Sequence, residues 1–166
     1  MNFVRLTAQG NQEEISVEYN RDKQKKDPSL IHAPAKRMIV KVTANDKYII
    51  TKCGVLAQLC YTLHQTYRRY CKNGIWDQDF YFKYVKHCHE SQPKKVVIEV
   101  LYSDDNGYNI LKKELELLQE HFGKKECLNM NNIPYIPKTT HAAKGSNWLK
   151  PNEYLNFMRL LKNYDY

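Results

Sequence analysis

The sequence lacks the features of a secreted, membrane-spanning or disulfide-framed protein. Its start, MNFVRLTAQG, has no apolar run of the signal-peptide kind, and nowhere do roughly 18 apolar residues follow one another. The five cysteines are odd in number and widely spaced, and no CxxC pair occurs, so neither a disulfide framework nor a zinc ribbon is predicted. These absences indicate a reducing cytosol, or a particle assembled in one, and no membrane partner.

One short run, "HCH" from His87 to His89, has the composition of a metal site. Consecutive residues of a helix point in different directions, so these three side chains cannot share one metal ion if the segment is helical. We therefore predict no metal there. Neither internal repeats nor low-complexity tracts are present.

Acidic residues are outnumbered 18 to 26 by lysine and arginine, which leaves a net charge of +8. Such an excess favours a polyanionic partner, nucleic acid first and an acidic protein surface second. Two basic clusters are candidate phosphate contacts, although each could equally be a solvated face: RDKQKK, with Arg21, Lys23, Lys25 and Lys26, and RRYCK, with Arg68, Arg69 and Lys72. The thirteen tyrosines suit surfaces half buried against a partner.

The hydrophobic pattern predicts an α+β fold. FVRLTA and EISVEY alternate as a first hairpin, residues 20–37 are polar and basic without periodicity, and MIVKVT and KYIIT form a second hairpin turning at Asn45 and Asp46. Amphipathic helices follow over 55–71 and 77–90, the second capped by Asp77, then a strand over 94–102 and a helix beginning near Asn109. A last helix begins near Pro151, after an irregular stretch. Sequential hairpins with segregated helices argue against a doubly wound sheet.

The helical stretch NILKKELELLQEHFGKKECLN poses a specific question. Its apolar residues fall on one arc, namely Ile110, Leu111, Leu115, Leu117, Leu118 and Phe122. Glu114 projects into the middle of that arc, with His121 beside it. A buried carboxylate costs several kcal/mol unless it is paired, so a tyrosine hydroxyl, His121 or Lys52 is expected to hold it.

Residues 38–129 resemble the GIY-YIG nucleases, which cut DNA phosphodiesters with one divalent metal. Met38-Ile39-Val40 stands at the position of the first motif, Tyr48-Ile49-Ile50 stands at the second, and Asn129 of an "LN" pair follows Glu114. The resemblance implies a small three-stranded antiparallel sheet flanked by helices, in the order β-β-α-α-β-α. It also implies Tyr48, Glu114 and Asn129 as catalytic residues if the protein is active, with Glu114 holding Mg²⁺.

Three departures from the family pattern argue against activity. The tyrosine of the first motif is Val40, the glycine of the second is Ile50, and the arginine of the first helix falls on Gln58. Hydrolysis needs a metal, an activated water and cations that offset developing charge, and losing one such group commonly costs on the order of 10² to 10³ in rate. We therefore read Glu114 as a residue of metal-ligand ancestry that is now structural.

The chain is expected to consist of a hairpin and basic arm (1–37), a GIY-YIG-like core (38–129) and a C-terminal extension (130–166). Three hypotheses for its function follow. The first is an inactive nuclease fold acting as a structural subunit of a DNA-handling assembly. Its Lys-, Asn- and Tyr-rich style resembles tailed-bacteriophage proteins, which implies a homo-oligomeric ring or connector near the portal and tail, assembled in the host cytoplasm and located in the virion. The second is an active metal-dependent endonuclease. The third is a non-catalytic DNA-binding module.

Overall fold

A computed structural model describes residues 1–17, 37–74, 80–134 and 151–164 of the chain. The five strands are β1 (Asn2–Leu6), β2 (Gln12–Ile15), β3 (Arg37–Ala44), β4 (Lys47–Cys53) and β5 (Lys95–Asp104). The described helices are α1 (Leu56–Asn73), α2 (Phe82–Ser91), α3 (Gly107–His121) and α4 (Pro151–Leu161). The α+β class predicted from the sequence is confirmed.

The strands form one mixed sheet in the order β2-β1-β5-β3-β4. Both hairpins are antiparallel, β3 also pairs antiparallel with β5, and β1 runs parallel to β5. The prediction of a three-stranded antiparallel sheet is therefore wrong. The strands expected for it are present as the neighbours β4-β3-β5, but the first hairpin extends the same sheet beyond β5, because Phe3 lies opposite Val96 and is buried with it.

The second hairpin turns where the sequence predicted it would. Asn45 adopts a φ of 57°, a left-handed conformation that asparagine tolerates better than most residues. The pleat of β4 then alternates its side chains between the two sheet faces. Tyr48, Ile50 and Lys52 consequently project to one face, and Ile49 and Thr51 project to the other.

Helices cover both faces of the sheet. Helices α1 and α2 pack on one face through a core that includes Leu59, Cys60, Leu63, Tyr84, Val85 and Cys88, against Val40, Val42, Ile49, Val96 and Ile98 of the strands. Helix α3 packs on the opposite face, where Ile110 lies with Ile39 and Ile50. The far side of α3 carries Leu111 and Leu115, against which α4 packs.

Two helix boundaries differ from their predictions. Helix α1 continues to Asn73, two residues beyond the predicted end at residue 71, and Gly74 follows as its C-cap with a φ of 78°. Helix α2 begins at Phe82, later than the Asp77 start that was predicted, with Tyr81 at the N-cap position and without a side-chain cap. Asp77 itself lies outside the described residues.

Helix α3 is shorter than its apolar arc suggested. Asn106 caps it by accepting a hydrogen bond from the backbone N–H of Asn109, and the helix ends at His121. The predicted apolar residue Phe122 is 42% exposed and is not part of the buried arc. Gly123 adopts a φ of 90°, which turns the chain towards the edge of β4.

Helix α4 begins at Pro151, as the sequence predicted, and buries Phe157 and Leu161 against α3. The irregular stretch that precedes α4 and most of the basic arm, residues 135–150 and 18–36, lie outside the described residues. None of the helices in the described part of the chain combines the length and apolar character needed to cross a membrane.

Candidate functional site

Glu114 projects from α3 towards the sheet, as the apolar arc predicted, and is only 2% exposed. The ammonium nitrogen of Lys52, on β4, lies 2.9 Å from its Oε2 atom. The Lys52 side chain is itself 13% exposed. Of the three partners expected for the carboxylate, Lys52 is the one that contacts it.

Burial raises the pKa of the Glu114 carboxyl above its ordinary value, and the Lys52 ammonium opposes that shift. The physical reason is that a carboxylate removed from water loses solvation, which a single cation replaces only in part. The pair is thus an internal electrostatic contact held between β4 and α3.

Tyr48 and His121 form a second polar pair between the same two elements. The Tyr48 hydroxyl lies 2.6 Å from Nδ1 of His121, and the two rings meet edge to face with centroids 5.5 Å apart. The Nζ atom of Lys41 also lies 4.4 Å from the centroid of the Tyr48 ring, within cation–π range. Burial raises the pKa of Tyr48 and lowers that of His121, so both groups favour their neutral forms.

Asn129 uses both ends of its side-chain amide on the backbone of β4. Its Oδ1 accepts from the Ile50 N–H and its Nδ2 donates to the Ile50 carbonyl, both at 2.8 Å. The preceding residues continue this pairing, since the Tyr48 N–H donates to the Glu126 carbonyl and the Leu128 N–H donates to the Tyr48 carbonyl. Residues 126–129 therefore cover an edge of β4 that would otherwise be open to other chains.

The Tyr48 and Glu114 side chains lie at opposite ends of the β4–α3 contact. Tyr48 meets His121, which follows Glu114 by seven residues on α3, a separation of about 10 Å along the helix axis. Ile50 and Leu117 fill the space between the two polar pairs. The geometry is that of a packed interface with a polar contact at each end.

The positions that depart from the GIY-YIG pattern lie in two environments. Val40 is fully buried on the sheet face covered by α1 and α2, opposite to Glu114, and Gln58 is exposed on α1. Ile50 belongs to the apolar filling beneath α3. Neither Val40 nor Gln58 is thus placed to assist chemistry at Glu114.

The basic residues of RRYCK lie on the outer side of α1. Arg68, Arg69 and Lys72 are exposed, and they belong to the helix that covers the sheet face away from Glu114. Arg21, Lys23, Lys25 and Lys26 of the other cluster lie outside the described residues.

Potential metal ligands are dispersed in the described ranges, where no three His, Cys, Asp or Glu side chains group to hold an ion. His87, Cys88 and His89 diverge on α2 as predicted. The Nε2 atom of His87 lies 2.8 Å from the Ala44 carbonyl, Cys88 is buried in the core, and His89 lies 3.6 Å from Sγ of Cys71. All five cysteines are free thiols.

Comparisons with protein-family models, with curated proteins and with solved structures give no match to this chain. The function therefore has to be argued from the geometry of the chain itself.

Two features of the site were not predicted from the sequence. The Tyr48–His121 pair joins residues from different elements, and no local pattern relates them. The helical interpretation of the sequence includes the edge segment 126–129, although Gly123 and the two lysines after it interrupt the apolar period. That glycine was the available signal for an earlier helix end.

Proposed function

We propose that this chain is a catalytically inactive protein with a GIY-YIG-like core over residues 38–129, acting as a structural or interaction subunit of a DNA-handling assembly. The observation that carries the proposal is the buried contact between Lys52 and Glu114. A metal ion at Glu114 would have to displace an ammonium group that already lies 2.9 Å from its carboxylate.

An ammonium group balances the charge of the carboxylate but cannot take over the chemistry of a metal. It has no vacant coordination position to polarise a phosphate oxygen or to lower the pKa of a bound water. The contact with Lys52 therefore supports a structural role for Glu114 at the position where the resemblance implies a metal ligand.

The other two residues implied by the resemblance, Tyr48 and Asn129, form hydrogen bonds within the fold. Tyr48 bonds to His121 and Asn129 bonds to the Ile50 backbone. Catalysis needs its groups to converge on one reacting atom, with a tolerance well under 1 Å. The two polar pairs lie about 10 Å apart, with Ile50 and Leu117 between them. This arrangement fits a packed structural interface better than an active site.

The assembly half of the proposal rests on the chain outside the central elements. Helix α4 returns to pack on α3 through Phe157 and Leu161, and it leaves Leu155 55% exposed on its outer side. A helix that follows the core and keeps an apolar side chain exposed suits a subunit that contacts neighbouring copies. A ring or connector of a tailed-phage virion is the specific assembly that we propose.

A cleavage assay tests the catalytic half. Purified chain incubated with supercoiled plasmid and Mg²⁺ or Mn²⁺ is expected to leave the plasmid intact. Glu114→Gln is the matched control, because it removes the carboxylate charge while keeping the shape of the side chain. Cleavage by the wild-type chain that disappears in Glu114→Gln would establish the endonuclease alternative and refute the proposal.

Native mass spectrometry and negative-stain microscopy test the assembly half. The expected result is a closed ring of identical copies, since ring symmetry is how one subunit satisfies a head-to-tail interface. A chain that stays monomeric at high concentration, with both termini cut freely by protease, would contradict it.

A further inference from the structure

We propose that the outer face of α1, formed by Arg68, Arg69 and Lys72, binds the phosphate backbone of duplex DNA. This α1 basic face lies on the opposite side of the sheet from Glu114, so it is a second site and goes beyond the proposed function. It holds whether or not the core derives from a nuclease.

The segment that includes α1 carries an excess of positive charge, although two of its lysines, Lys41 and Lys52, lie on the α3 side of the sheet. Residues 37–74, which form β3, β4 and α1, contain seven lysines and arginines and a single acidic residue, Asp46. Residues 80–134, by contrast, contain eight basic and eight acidic residues. Helix α1 itself has neither Asp nor Glu along its 18 residues.

The three basic side chains are not neutralised within the described part of the chain. None of the ion pairs among the described residues includes Arg68, Arg69 or Lys72. The one side-chain hydrogen bond found for them there is from Arg69, whose Nη2 atom donates to Oγ1 of Thr66 at 3.3 Å. The cations are thus available to a polyanion.

The three residues also share one side of the helix. The inward side of α1 is set by Leu59, Cys60 and Leu63 in the core, and Arg68 and Lys72 lie one turn apart on the opposite side, with Arg69 beside them. Together with Gln65 and Tyr67 they border a surface depression of about 500 Å³. A cluster of cations around a shallow depression fits a charged strand that lies across it.

Duplex DNA is the polyanion that we assign to this surface because of its charge density. It carries one negative charge per ~1.7 Å of helix axis, and neutralising its phosphates releases condensed counterions. An acidic protein surface has a lower charge density and gains less from the same three cations. The contacts are to phosphates only, so binding is expected to be independent of base sequence.

The orientation has a structural consequence. DNA on the α1 basic face is separated from Glu114 by α1 and the sheet, since α1 and α3 cover opposite faces. Binding there holds DNA against the protein without presenting it to the Glu114–Lys52 contact.

The test is fluorescence anisotropy of the full-length chain with a fluorescein-labelled 20-base-pair duplex, titrated with NaCl between about 50 and 200 mM. The variant is Arg68→Gln/Arg69→Gln/Lys72→Gln. It is expected to bind at least tenfold more weakly at the lowest salt. The slope of log K against log salt is expected to fall by about 2 to 3, since each lost phosphate contact contributes about 0.9.

The matched control is Lys124→Gln/Lys125→Gln/Lys162→Gln, which lowers the net charge equally at exposed positions away from α1. It is expected to keep its affinity within about threefold, and circular dichroism shows whether both triple variants fold. Three results would overturn the proposal: no binding by the wild-type chain at the lowest salt, equal loss of affinity in both variants, or displacement of the duplex by poly-glutamate at equal charge concentration.

Discussion

Lys52 and Glu114 come from different elements, β4 and α3, and their charged groups meet at 2.9 Å inside the interface between them. The contact connects an edge strand to the helix above it. When one partner of this pair is replaced, the charge of the other stays buried without compensation. That uncompensated charge determines the effect of a substitution at either residue.

Replacing Lys52 with methionine is expected to destabilise the protein by about 3 kcal/mol near neutral pH, because it leaves the carboxylate of Glu114 buried without its cation. The double variant Lys52→Met/Glu114→Leu is expected to recover most of that loss, since it removes both charges and keeps the volume. Urea unfolding of Lys52→Met, Glu114→Leu and the double variant measures the coupling between the two residues. Strictly additive free energies of unfolding would mean that the contact does not contribute.

The pH dependence of stability should carry the signature of Glu114. Because burial raises the pKa of its carboxyl in the folded protein, the folded state binds the proton more tightly than the unfolded state does. The resulting stabilisation is complete below the unfolded carboxyl pKa of about 4.5 and is lost as the pH rises through the folded pKa.

Glu114→Gln removes this titration and keeps the side-chain shape. The free energy of unfolding of the wild-type protein, relative to that of Glu114→Gln, is expected to fall as the pH rises from about 4. Urea midpoints of both proteins between pH 4 and 7 would measure the difference. If the wild-type protein instead became more stable relative to Glu114→Gln as the pH rises, Lys52 would lower the carboxyl pKa more than burial raises it.

Asn129→Leu is expected to cost about 3 kcal/mol of stability, because it leaves the N–H and carbonyl of Ile50 without partners at a buried edge. The two lost hydrogen bonds are both 2.8 Å long. The exposed neighbour Asn131 provides a control, and Asn131→Leu should leave the urea midpoint nearly unchanged. A similar loss in both variants would attribute the effect to the added leucine rather than to the amide contacts.

Tyr48→Phe is expected to cost about 1 kcal/mol, since it removes one hydroxyl hydrogen bond to His121 and keeps the packed ring. Thermal unfolding would detect this as a small decrease in the midpoint temperature. Tyr154→Phe on α4 is a suitable comparison, because it makes the same chemical change away from the β4–α3 interface. A Tyr48→Phe protein as stable as the wild type would show that the 2.6 Å contact contributes nothing.

Much of the local structure could be read from the sequence. The alternation in MIVKVT and KYIIT specified the second hairpin, and the 3.6-residue period specified the inward side of α3, including Glu114. These predictions succeeded because strand and helix periods are local properties of the chain. Helix ends were less predictable, as Phe122 and the start of α2 illustrate, since no side-chain cap marks the start at Phe82.

The sequence by itself determined the α+β class, the basic character and the inward direction of the Glu114 side chain, because these follow from composition and from short-range periodicity. Only the tertiary structure decided that Lys52 pairs with that carboxylate, that Asn129 binds the Ile50 backbone, and that the first hairpin joins the sheet beside β5. The reason is that these contacts join residues far apart along the chain. Their partners are chosen by how whole elements pack, and no local pattern encodes that choice.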